Sequence, residues 1–225
     1  MATKPEASHV YVLHRRPYGE RGALLDLLSS EGRVTAVLRR TAASPFQLHW
    51  MELVGRNELK SVRRCEALGP AALPQGMALY AGLYVNELTL RLLPQGLACA
   101  SLWPVYSQTV SLLLLATGSF EAGLRRYELA LLSLLGDADM FAYGAEGGAP
   151  IVADKHYRLD PGHGFVAAVH GITGEALLAM GRGDFSSATV LAQARPIFRQ
   201  LIDHALAGRI LRSRELYRQA QAVRA

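Results

Sequence analysis

The spacing of hydrophobic and polar positions changes once along this chain. Through residues 8–69 the apolar residues come in short Val- and Leu-rich runs. These are cut by Pro17, Gly19, Gly22, Gly32, Pro45 and Gly55, the punctuation of strands and turns. Strands are predicted at 9–15, 23–29, 33–40, 50–54 and 59–68. The third alternates most clearly: Val34, Ala36 and Leu38 on one face, Arg33, Thr35 and Arg39 on the other. Beyond Pro70 and Pro74 the period lengthens to that of helices, predicted at 77–93, 102–116 and 121–135 and closed by Pro94, Gly118 and Gly136. A Gly-, Pro- and aromatic-rich stretch follows at 141–170, with a hairpin at 157–165 turning on Asp160-Pro161-Gly162. Helices resume at 174–180, 187–206 and 213–222. The fold class is therefore α+β, with a five-stranded barrel at 1–72 and a mostly helical domain carrying a small hairpin at 73–225. Five short strands in about sixty residues fit an OB-type barrel, and a small SH3-like barrel has much the same signature.

Composition agrees with a folded globule: half the residues are hydrophobic and 19% charged. Cys65 and Cys99 are too few for a disulfide framework or a four-cysteine zinc site. The N-terminal stretch lacks an apolar core for a signal peptide. The longest apolar run, near 112–116, is far short of the ~20 residues of a membrane span. A cytoplasmic, nucleoid-associated protein is expected. The net charge of +5 is unevenly spread. Residues 1–70 hold 11 Lys+Arg against 7 Asp+Glu, residues 71–194 hold 6 against 10, and residues 195–225 hold 7 against 2. Two basic regions flanking an acidic middle suggest a polyanion partner, nucleic acid above all.

Catalytic motifs are missing. No phosphate-binding loop ending in Gly-Lys-Ser/Thr occurs, and no Gly-x-Ser-x-Gly elbow or His-Glu-x-x-His pair. Gly144, Gly147 and Gly148 lack the strand–helix context of a dinucleotide fingerprint. Asp154, His156, Asp160 and His163 are the residue types that bind metals, but Pro161-Gly162 breaks the strand that would align them, and a turn is the better reading. No enzyme, metal or cofactor is expected.

Four motifs in register resemble one family. Tyr80-Ala81-Gly82-Leu83-Tyr84-Val85-Asn86-Glu87-Leu88 looks like the Y-x-x-x-Y-(I/L)-N-E-L helix of RecO proteins. Leu124-Arg125-Arg126-Tyr127-Glu128-Leu129-Ala130-Leu131-Leu132, ending in Leu135-Gly136, is similar to that family's Arg-Arg helix. Ser213-Arg214-Glu215-Leu216-Tyr217 matches its closing motif, and the stretch from Leu13 to Glu20 followed by Gly32-Arg33-Val34 is like its opening. There are departures too. The basic loop after the third strand is here Arg39-Arg40-Thr41-Ala42-Ala43-Ser44, shorter and less basic than the family's. Gln193-Ala194-Arg195 lacks the family's Lys, and residues 137–150 lack the zinc cysteines of some members. The resemblance implies a non-enzymatic mediator of DNA repair and recombination with an OB-type barrel. Such a protein would bind single- and double-stranded DNA, anneal single strands, and work with RecR to load recombinase onto strands coated by single-stranded-DNA-binding protein (SSB).

On an OB-type barrel nucleic acid crosses strands 2–3 between loops 1–2 and 4–5. The DNA-binding candidates are then Arg15, Arg16, Tyr18, Arg21, Arg33, Arg39, Arg40, Arg56 and Lys60. Cations outnumber flat side chains, so backbone-led, salt-sensitive contact is expected. On the Arg-Arg helix, Arg125 beside Leu129 and Leu132 suits the acidic C-terminal tail of SSB. Glu121 and Glu128 lie within one turn of Arg125 and give it a rival role as a salt-bridged residue. The C-terminal arginines Arg209, Arg212, Arg214 and Arg218 either extend a basic surface or complement a helix end. A second reading, a scaffold that binds acidic protein tails without contacting DNA, stays open here. Because no metal is expected in the fold, EDTA should leave the thermal melt unchanged. A large fall in melting temperature on chelation would overturn that.

Overall fold

The computed structural model describes residues 6–39, 42–115, 119–137, 139–145 and 147–222. In chain order the strands and helices are β1 (Glu6–Tyr18), β2 (Gly22–Ser29), β3 (Gly32–Arg39), β4 (Leu48–Val54), β5 (Leu59–Leu68), α1 (Met77–Leu92), α2 (Leu102–Leu115), α3 (Glu121–Leu132), β6 (His156–Asp160), β7 (Gly164–Ala168), β8 (Ile172–Thr173), α4 (Gly174–Gly181), α5 (Ala188–Leu206) and α6 (Arg212–Ala222). They form two compact units, Met1–Thr117 with Leu211–Ala225, and Gly118–Ile210. The change from strand to helix does fall around residue 72, but the compact units are grouped differently: α1, α2 and α6 belong with the barrel.

In the first unit the five strands close into a barrel in the order β1-β2-β3-β5-β4. Alternation builds it. Val10, Val12, Ala23, Leu25, Leu27, Ala36, Leu38, Met51 and Leu53 point inward, with Val34, Val62 and Cys65 packed against them. The long β1 pairs with β4 through its first half and β2 through its second. A bulge between Val12 and His14 bends it from one neighbour to the other.

The helices meet the barrel through a few specific contacts. The Tyr11 ring, on the outside of β1, packs against Trp103 and Tyr106 of α2, and its hydroxyl hydrogen-bonds Ser107 at 3.0 Å. Buried Asn86 of α1 donates to the Leu13 carbonyl at 3.1 Å and accepts from the Tyr106 hydroxyl at 2.7 Å. Phe46, in the β3–β4 connection, lies so close to Gly82 that a Cβ there would stand 2.7 Å from its ring. Any larger residue at that point would have to displace the buried Phe46 ring.

Glu87, the residue after Asn86, holds α6. Its carboxylate accepts from the backbone N–H groups of Arg212 (3.0 Å) and Ser213 (2.8 Å) and from the Ser213 hydroxyl (2.7 Å). These are first-turn donors that the helix itself leaves unsatisfied. Only Ser213 of α6 is buried, so this polar contact is a large part of what seats the helix.

The second unit packs α3 on α5 beside the three-stranded sheet β7-β6-β8. Its centre is aromatic: Phe141 contacts Phe165 and Phe198, each with ring centroids 5.6 Å apart, and Phe185 meets Phe198 at 5.9 Å. The predicted hairpin is β6–β7, turning on Asp160-Pro161-Gly162 with Gly162 at φ 92°. His163 closes the turn, its N–H donating to the Asp160 carbonyl at 3.0 Å. Helix α3 ends in a single wider turn at Ser133–Asp137, stopped by Gly136 at φ 108°. The predicted ends of strand 3 at Arg40 and of the second helix at Ala116 lie outside the described residues.

Burial pushes the Glu87 carboxyl up, but the Ser213 N–H, the Ser213 hydroxyl, the Arg212 N–H and nearby Arg91 outweigh it and hold the group below its ordinary value of 4.5. A depressed folded-state pKa gives stability that is full above that ordinary value and lost as pH falls through the lower one. Glu87→Gln should therefore be less stable than the parent at neutral pH, by about 1 kcal/mol for a lost cap. The gap should vanish in acid. Paired urea melts across pH check this, and a gap independent of pH would count against the cap.

Candidate nucleic-acid interface

The β1–β2 turn and the end of β3 are brought together by strand register. Tyr18 stands opposite Gly22, and Gly22 opposite Arg39; one row along, Arg16 stands opposite Leu24, and Leu24 opposite Val37. Ala23 and Leu38 point into the core, so by alternation Arg16, Tyr18, Gly22, Leu24, Val37 and Arg39 share the outer face. Arg15 pairs with Leu25 and falls on the opposite side of the pleat, yet it too is exposed. Arg16 and Arg39 therefore share the outer face with Tyr18, which is 47% exposed, Arg21 lies in the adjoining turn, and Arg15 is exposed on the other side of the pleat. Among the described residues of the turn, Glu20 is the one acid.

The other candidates divide. Arg56 is exposed on the β4–β5 connection. Lys60 is half-buried, its ammonium donating to the Gly55 carbonyl at 2.9 Å and tying that connection together. Arg40 lies outside the described residues. Arg33 is corrected. Its guanidinium Nε donates to the Leu93 carbonyl at 3.0 Å, and Nη1 lies 3.9 Å from Asp26.

Arg33 is occupied because the segment after α1 lies along this end of the β2–β3 face. Gln95 donates to the Thr35 hydroxyl at 2.8 Å, the Gly96 N–H to the Arg33 carbonyl at 3.2 Å, and the Cys99 N–H to the Ser30 carbonyl at 3.1 Å. A Cβ at Gly32 would come within 2.5 Å of the Leu97 carbonyl oxygen. The Cys99 thiol donates to the Ser29 carbonyl, and burial pushes its pKa up to about 11, which keeps it protonated and inert. The outer face of strands 2 and 3 is thus covered at one end and open at the other.

Alternation alone also passed over Trp50. It lies on the outside of β4 under the Arg64 guanidinium, 5.6 Å from its ring centroid. The signal for it was a single outward aromatic in a strand opposite a strand with Arg63 and Arg64.

The pocket expected on α3 is corrected as well. Arg125 is only 9% exposed; its guanidinium lies over the Phe198 ring, and Nη1 is 2.8 Å from the Glu128 carboxylate. Leu132 is buried and Leu129 half-buried. Glu121 pairs instead with Arg195 of α5, two hydrogen bonds of 2.8 Å each. The exposed arginine of this helix is Arg126, which donates to the Gly183 carbonyl at 3.1 Å. With α5 packed on α3 and its Phe198 ring against the guanidinium, Arg125 is buried and does not rim an open groove.

Among the described residues no three His, Cys, Asp or Glu side chains gather as metal ligands; Asp160 and His163 instead meet across their own turn at 3.4 Å. No described helix is long and apolar enough to cross a membrane. Arg125→Ala would remove the guanidinium that lies 2.8 Å from the buried Glu128 carboxylate, itself 1% exposed. Loss of one member of a buried pair costs about 3–5 kcal/mol, so the melting temperature should fall by many degrees. A melt within about 0.5 kcal/mol of the parent, the usual range for a surface change, would contradict the buried-pair reading.

No family model matches the chain. Individual proteins do, and along almost its whole length. The DNA repair protein RecO of Stutzerimonas stutzeri is 40% identical over 230 aligned residues, 96% of this chain and 96% of that protein. The DNA repair protein RecO of Shigella boydii is 36% identical, over 93% and 92% respectively. That of Alteromonas mediterranea is 34% identical, over 93% and 95%. With a closed five-stranded barrel preceding the helices, and identity at this level over nearly the whole chain, this chain belongs to the RecO family of DNA repair proteins.

Proposed function

We propose that this protein binds and anneals single-stranded DNA through its barrel and, without catalysing a reaction, helps load recombinase onto SSB-coated strands together with RecR. The observation that carries the reading is the set of exposed arginines at the open end of the β1–β2–β3 face: Arg16 and Arg39 on the face of exposed Tyr18, Arg21 in the turn beside it, and Arg15 on the other side of the same strand. Arginines spaced along a strand edge match the phosphates of a flexible single strand, and contacts of this kind are sequence-tolerant. Arg56 is a further exposed cation of the barrel, on the β4–β5 connection, and duplex DNA engages such cations through its backbone too. Annealing asks for such a grip. Two complementary strands, each neutralised along its backbone and free at its base edges, approach without the full repulsion of naked phosphates.

The SSB tail remains part of this reading, on a different side chain. An acidic peptide ending in a carboxylate suits an accessible arginine beside apolar surface. On α3 that combination is Arg126 beside half-buried Leu129. Partnership with RecR and association with the nucleoid rest on family membership.

Fluorescence titrations of labelled single-stranded DNA at several salt concentrations test the barrel. Arg15→Glu and Arg39→Glu should each weaken binding, and each lost phosphate contact should flatten the log–log salt slope by about 0.7. If both variants keep the parent's affinity and slope, the barrel is not the DNA surface, and a scaffold for acidic protein tails becomes the better reading.

A further inference from the structure

The open end of the β1–β2–β3 face holds more than cations. A cleft of about 300 Å³ lies there, lined by Tyr18, Glu20, Arg21, Gly22, Val37 and Arg39, with Gly19 at the turn. Its origin is a missing side chain. Tyr18, Gly22 and Arg39 stand abreast in one cross-strand row, and the central position has no Cβ. A side chain there would stand between the tyrosine ring and the arginine, and its Cβ would already lie 2.7 Å from the Tyr18 carbonyl oxygen. The gap is floored by Val37, which is 7% exposed.

We infer that this cleft takes one unstacked nucleobase of a bound single strand, stacked against the Tyr18 ring, while Arg21 and Arg39 hold the phosphates on either side. The inference rests on the DNA-binding reading above and adds a base contact to what would otherwise be a backbone grip. Three features select a base over other occupants. A flat aromatic beside an apolar floor offers a π-face and a dry surface, which a phosphate does not use and a base does. The carboxylate of Glu20 at the rim repels a phosphate but accepts hydrogen bonds from the amino and imino groups on a base edge, as acidic side chains do from cytosine. Two arginines flank one narrow opening, the arrangement of a nucleotide with its backbone outside and its base within.

The consequence is discrimination between single and double strands. A base in a duplex is paired and stacked, and to enter the cleft it must be pulled out at a cost of a few kcal/mol. The arginines grip either form, but the cleft accepts only the single strand. A charged cluster alone supplies no such preference.

The test measures affinity for three ligands: a single-stranded oligonucleotide, the same strand with abasic sites throughout its central segment, and the duplex. In the parent protein the abasic strand should bind about tenfold more weakly than the intact one, the scale of one base–aromatic stack. Tyr18→Ala should weaken intact single-strand binding by the same ~10-fold, abolish the difference from the abasic strand, and leave duplex affinity unchanged. Tyr18→Phe, which keeps the ring, should behave as the parent. Gly22→Leu, filling the gap, should reproduce the alanine variant, provided its melt shows the barrel intact; Tyr18→Ala and the abasic strand decide the matter on their own. 2-Aminopurine placed in the strand should lose fluorescence on binding to the parent but not to Tyr18→Ala. If the parent binds single strands with a steep salt slope yet Tyr18→Ala and the abasic strand make no difference, the base cleft is wrong and the backbone grip stands. If the parent binds no single-stranded DNA at all, both readings fall.

Discussion

Two adjacent polar side chains in α1, Asn86 and Glu87, make the join on which the barrel-bearing unit depends. Asn86 sits between a strand and a second helix, and Glu87 faces the last helix. Neither is replaceable by an apolar residue of similar size. The buried Asn86 amide donates to a strand carbonyl and accepts from a tyrosine hydroxyl, and loss of one partner of a buried hydrogen bond costs about 1–3 kcal/mol. The carboxylate at Glu87 answers donors that no helix can satisfy from within. A hydrophobic contact is forgiving of rotation; these two are not. They fix the register of α1 along β1 and the starting point of α6, and the close approach of Phe46 to Gly82 follows from that fixed position.

With α1 so placed, the segment that leaves it runs across the outer face of β2 and β3. That route decides which cations are available to a ligand. Arg33 is held by the Leu93 carbonyl and Asp26, and Thr35 by Gln95, whereas Arg39 is exposed at the other end of the same strand. The nucleic-acid surface is therefore a product of helix packing as much as of barrel topology. A shorter open face concentrates the ligand at the β1–β2 turn, where exposed Tyr18 shares its face with Arg16 and Arg39 and the turn adds Arg21.

Much of this was legible in the residues. Strand alternation gave the inward set of the third strand, and Asp160-Pro161-Gly162 gave the hairpin, because local period and turn chemistry are properties of neighbouring residues. The Arg39–Gly22–Tyr18 row was only half visible: the candidates were named, but their register depends on how three strands align. Arg33 and Arg125 were misread for a common reason. Both look like surface cations, and both are claimed by groups distant in sequence, Leu93 for one and Phe198 of a packed helix for the other. Glu128, one turn from Arg125, was the local clue that a paired role was available. Grouping of α6 with the barrel left no local trace either, since its bond runs from Glu87 to residues more than a hundred positions on.

That last distance sets an order of assembly. Glu87 and the Arg212 N–H it accepts from are 125 residues apart, and at synthesis rates of roughly 5–20 residues per second the second follows the first by about 6–25 s. Throughout that interval a nascent chain has every strand of the barrel and the Asn86 bridge to α1, but no α6. The 118–210 unit, inserted between α2 and α6, is made in the meantime. The barrel-bearing unit thus begins before the 118–210 unit and is completed after it, and a ribosome stalled before Leu211 would carry a barrel whose α1 still presents the Glu87 carboxylate without its α6 donors.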